Sequence, residues 1–126
     1  MGPIDLHVQR LLARVPQATA RDVQGHGTLI SIPGIALVAG WNKPVTDVHF
    51  FAPQGYPFAK PDSFWADQDL RLASGALPQN TQQGNPMPGL LQVGLWFSWH
   101  VDHWSASRDD LLTWVASIRV RLAKVV

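Results

Sequence analysis

The sequence predicts an α+β domain in which helices flank an antiparallel sheet, and three observations predict it. Helical periodicity occurs only near the two ends, short β-branched and aromatic runs fill the middle, and the turn residues between those runs leave no room for crossover helices. A length of 126 residues suits one domain with a single core, and no repeat or linker divides residues 1–126. An apolar content of 46 % with 15 % charged residues describes a globular chain, while 10 glycines and 10 prolines announce many turns.

The elements follow in order. Ile4, Leu6, Val8, Leu11, Leu12 and Val15 trace an amphipathic helix, with Asp5 near its start, Arg10 and Arg14 towards its end, and Pro16 blocking continuation. From Ala20 to Ala52 the runs HGTLISI, GIALVAGW and VTDVHFFA, separated by Pro33-Gly34 and Asn42-Lys43-Pro44, read as a meander of three or four antiparallel strands. Residues 53–91 read as one long Pro/Gly-rich loop, of a length that in a small domain usually serves a site. The stretch SASRDDLLTWVASIRVRLAKVV reads as a final helix capped by Ser105 or Ser107. Asp109 and Asp110 fall in its first turn, and Leu111, Leu112, Val115, Ile118 and Leu122 form its apolar face.

Composition excludes several functions. A net charge of +1 without a basic block argues against nucleic acid as a partner. The amino terminus shows no secretion pattern, and no apolar run nears the ~20 residues that span a bilayer, so a cytoplasmic chain without membrane partners is expected. The absence of cysteine removes disulfides, thiolate metal sites and any thiol nucleophile.

GLWFSWHVDHW, residues 94–104, is where polar chemistry concentrates. A serine hydroxyl needs a positioned base to act as a nucleophile, and His100 is the nearest imidazole to Ser98. In an extended chain residues two apart share a face, so Ser98, His100 and Asp102 could align as nucleophile, base and orienting carboxylate. His100 and His103 also fit a plainer role, partly buried with ring nitrogens on backbone groups. A third possibility is a metal-dependent hydrolase in which His100, Asp102 and His103 bind zinc or iron, with His49 or His26 completing the shell. Tyr56, Pro57, Phe58 and Pro61 are expected to pack the loop. Trp65, Trp96, Trp99, Trp104 and Trp114 are expected to be core or loop anchors.

The phrases GYPFAKPDSFW (55–65) and WSASRDDLLTWVASI (104–118), in this order after a helix and a meander, resemble the ubiquitin-conjugating (UBC) fold. With LASGALPQNT and the WFSWH ending, they are most similar to the prokaryotic UBC-like proteins of Prok-E2 family E. The resemblance implies a ubiquitin-like protein and an activating enzyme as partners, a JAB-type peptidase in the same pathway, and no cofactor. The family's thioester-forming cysteine and the His-Pro-Asn tripeptide before it are missing. Ser98 then stands in the nucleophile's place, as the carrier of an oxyester passed on to an amine. Asn80 lies in the loop where the tripeptide's asparagine, an oxyanion donor, would be sought. A catalytically inactive scaffold is the alternative the resemblance leaves open.

Overall fold

A computed structural model describes residues 2–126. Its elements are α1 (Pro3–Arg14), β1 (Thr19–Val23), β2 (Gly27–Ala36), β3 (Val45–Pro53), β4 (Phe64–Ala66), β5 (Thr81–Pro86), β6 (Val93–Phe97) and α2 (Leu111–Ala123). The strands form one antiparallel sheet in the order β1-β2-β3-β4-β6-β5. The α+β class with a helix at each end is therefore as expected.

The strand inventory differs from expectation. The sheet has six strands rather than about four, because β4, β5 and β6 are short, and two of them lie inside the stretch read as loop. GIALVAGW is not a strand of its own. Pro33-Gly34 makes a bulge rather than a turn: the β2–β3 register shifts between Ile32 and Ile35, and Gly34, at φ 69°, donates its N–H to Asp47 Oδ1 at 3.0 Å. The first strand is instead TARDV, whose polar pattern gives no apolar alternation to read.

Alternation divides the sheet into two faces. Ile30, Ile32, Val48, Phe50, Phe64, Leu95 and Phe97 enter the main core, which Leu11 of α1 and Leu111, Trp114, Val115, Ile118 and Leu122 of α2 close. Phe64 and Phe97 stack at 4.7 Å between ring centroids, and Phe50 meets Trp114 edge-on at 6.4 Å. Each such fully buried large side chain contributes about 1.5–3 kcal/mol through area removed from water. Leu6 leaves the predicted stripe and stays exposed.

The opposite face carries Leu29, Ser31, His49, Phe51, Trp65 and Trp96. The turn between β5 and β6 folds back over part of it. Met87 is buried against Gly94 and Trp65, and Gly89 approaches Val23 of β1 so closely that a Cβ there would lie 2.6 Å from a methyl carbon. No described helix is long and apolar enough to cross a membrane.

The start of α2 also corrects the expected cap. Ser105 closes its own turn, accepting at its carbonyl from the amides of Arg108 and Asp109, while its N–H donates to Asp109 Oδ2 at 2.7 Å. Asp110 caps the helix, accepting from the Thr113 amide at 3.1 Å, and Thr113 Oγ1 accepts from the Asp110 amide at 3.1 Å.

Candidate functional site

The site grows from the end of the β5–β6 hairpin. Thr81 pairs with Phe97, and one residue further out Ser98 donates its N–H to the Asn80 carbonyl at 2.9 Å. Asn80 has φ 59°, a left-handed conformation that asparagine tolerates better than most residues, and it turns the incoming chain into β5. Phe97 is fully buried and Ser98 is exposed. The pleat thus anchors one residue in the core and places the next, with its hydroxyl, at the surface.

Beyond Ser98 the strand stops, and residues 99–104 are held by other means. Trp99 turns inward so that its Nε1 donates to Ser117 of α2, at 3.0 Å to the carbonyl and 2.9 Å to Oγ. Its carbonyl accepts from the Ser63 amide at 2.8 Å. Lys60 Nζ donates to the Val101 carbonyl at 2.7 Å, and Trp104 Nε1 donates to the Pro57 carbonyl at 2.7 Å. Tyr56, joined to Pro57 by a cis peptide, lies 6.0 Å from the Trp104 ring and is hydrogen-bonded to His7 Nδ1 at 2.5 Å. The Tyr-Pro-Phe loop is therefore the floor of the 98–104 segment. Within it Tyr56 is buried as expected, whereas Phe58 projects into solvent at 87 % exposure.

Four of the five sequence-predicted residues form two units rather than one, and His103 joins neither. Ser98 and Asn80 are joined through the backbone. His100 Nε2 lies 3.2 Å from Asp102 Oδ1, with both side chains mostly exposed. Among the described residues Ser98 Oγ has no hydrogen-bond partner, so His100 is not bonded to it. The extended alternation that would align them ends with β6 at Phe97. His100 and His103 are both exposed, which corrects the reading in which they are partly buried. Among the described residues no three His or Asp side chains are gathered as a metal ion would need, so His100, Asp102 and His103 do not come together with His26 or His49. His26 instead rests on Phe51 at 5.7 Å, and His49 is engaged with Ser31.

One residue that supports the site carries no signal in the sequence beyond dipole complementarity. Arg121 is 3 % exposed, and its guanidinium donates to the carbonyls of Lys124, Gln79 and Val126 at 2.9, 2.9 and 3.2 Å. It also stacks over Phe97 at 5.0 Å from the ring centroid. Arg121 therefore grips the neighbours of both Asn80 and Ser98. Burial holds its pKa below the usual arginine value.

The sequence profile of the family described as Prokaryotic E2 family E matches residues 14–125 of this chain, from the last residue of α1 to the penultimate residue. No curated protein and no solved structure matches it.

Proposed function

The chain belongs to prokaryotic E2 family E, and from that premise we propose that it is a cysteine-free carrier which holds the carboxyl terminus of a ubiquitin-like protein as an oxyester on Ser98. In the reaction Ser98 Oγ attacks the thioester carbonyl on the activating enzyme. A C–O bond forms, the C–S bond breaks, and the hydroxyl proton passes to His100, which Asp102 orients, and on to the departing thiolate. An acceptor amine then displaces the serine. An oxyester is less activated towards amines than a thioester, so a donor at the developing oxyanion matters, and Asn80 supplies it. His103 is the second exposed imidazole of the segment. The partners are the ubiquitin-like protein and its activating enzyme, with a JAB-type peptidase acting in the same pathway, in the cytoplasm.

The observation that carries this reading is the exposure of Ser98 at the mouth of a hairpin whose flanks are pinned by Asn80, Trp99 and Arg121. The test is incubation with activating enzyme, ATP and the ubiquitin-like protein. The expected product survives reducing agent, yields to hydroxylamine, and is lost in Ser98→Ala. A second reading, a non-catalytic scaffold for the same partners, is favoured by the absence, among the described residues, of any base bonded to Ser98 Oγ. It predicts binding with no adduct under the same conditions.

A further inference from the structure

A serine–histidine hydrogen bond, which Ser98 lacks among the described residues, exists on the outer face of the sheet. Ser31 of β2 and His49 of β3 are direct cross-strand partners, and Ser31 Oγ lies 2.7 Å from His49 Nδ1. Both side chains are partly buried on the outer face. Strand pairing does not depend on this bond, because the β2–β3 ladder runs from Gly27↔Pro53 to Ala36↔Val45 with apolar alternation on its inner face.

The surroundings suit the imidazole to accept the hydroxyl proton. Burial holds the His49 pKa below 6.5, so the ring is neutral at pH 7. The nearby carboxylates of Asp47 and Asp67 act against that shift. A cavity of about 240 Å³ opens beside His49, lined among others by Asp47, Asp67, Asp69, Met87 and Gln92, with Ser31 outside the lining and joined to it through its bond to His49. Lys43, outside the cavity lining, bridges Asp67 and Asp69 at 2.7 and 2.9 Å, and Asp47, the third carboxylate of the lining, pairs with no cation among the described residues, so the lining keeps a negative charge. It suits a small ligand that carries an amine.

We propose that Ser31 and His49 form a second nucleophilic site, separate from Ser98, which is acylated by small activated esters bearing an ammonium group. Ser31 Oγ bonds to the ester carbonyl carbon and the carbon–oxygen bond to the leaving group breaks. The hydroxyl proton passes to His49 Nδ1 and then to the departing alkoxide.

The test uses the full chain with the p-nitrophenyl esters of glycine and of acetic acid, followed by intact mass measurement and peptide mapping. The expected result is one acyl group, mapped to Ser31, formed faster from the glycyl than from the acetyl ester. Ser31→Ala abolishes it, and His49→Gln slows it by about 100-fold, the scale of a positioned base. An adduct confined to lysines or to other serines overturns the proposal, as does Ser31 acylation at an unchanged rate in folded His49→Gln. Should His49→Gln fail to fold by near-ultraviolet circular dichroism, Asp47→Asn decides: loss of the glycyl preference supports the site, and an unchanged preference overturns the charge selection on which it rests.

Discussion

At the scale of single residues, exposure and partnership decide what each side chain can do. His100 and Asp102 are an exposed pair, and such pairs contribute about 0–1 kcal/mol to folding. Asp102→Asn should therefore leave the denaturation midpoint nearly unchanged while slowing adduct formation on Ser98 by about tenfold, far less than the roughly 10⁴-fold of a buried orienting carboxylate, because this one is exposed. Parallel urea melts and single-turnover rates check both halves. His49 behaves in the opposite way, since its ionisation is linked to folding. Its folded pKa lies below the unfolded value of 6.5, so the unfolded chain binds more protons in the window between the two. The stability it contributes is complete above 6.5 and is lost as the pH falls through that window. His7, also held low by burial, adds to the same slope. Urea melts at pH 7 and pH 5 should show the wild type weakening with acid, and His49→Gln weakening less.

At the scale of elements, the helices were legible and the later strands were not. The apolar stripes of α1 and α2 repeat over three turns, enough for periodicity to stand out; the bounds of α1 fall within a residue of those expected, whereas α2 begins after Asp110 rather than after Ser105 or Ser107. β4 has three residues and β5 reads TQQGNP, so neither offers an alternation to recognise. Both exist because β6 supplies a partner on each side. The α2 cap turned on which of several polar residues the preceding turn left free, a choice sequence does not express. Asp110→Ala should cost about 1 kcal/mol, the usual value of a helix cap, read as a lower unfolding midpoint. The β5–β6 turn makes its own demand at Gly89, where φ is 84° and any Cβ would press on Val23. Gly89→Ala should destabilise by about 1–3 kcal/mol, with strain and overpacking acting together.

At the scale of the whole molecule, the candidate site lies where two distant parts of the chain converge. Ser98, His100, Asp102 and His103 stand out in the sequence because polar residues cluster among tryptophans there, whereas Asn80 is singled out only by the family resemblance. What joins the site is not legible there: Asn80 meets Ser98 only through strand pairing, and Arg121 reaches Gln79 only once α2 packs on the sheet. The Ser31–His49 pair likewise needs the β2–β3 register, which no local pattern supplies. Arg121→Met would leave the Lys124 and Gln79 carbonyls without their donor, while the Val126 carbonyl keeps the Gln79 amide. It should lower stability by about 1–3 kcal/mol and speed hydrogen exchange at the Ser98 amide relative to amides of the β2–β3 ladder.

Peptide mapping of the species formed with activating enzyme, ATP and the ubiquitin-like protein reaches the central claim most directly. The carboxyl terminus of the ubiquitin-like protein should be found on Ser98 in a hydroxylamine-sensitive bond. Stable binding of both partners with Ser98 unmodified at every time point would contradict it.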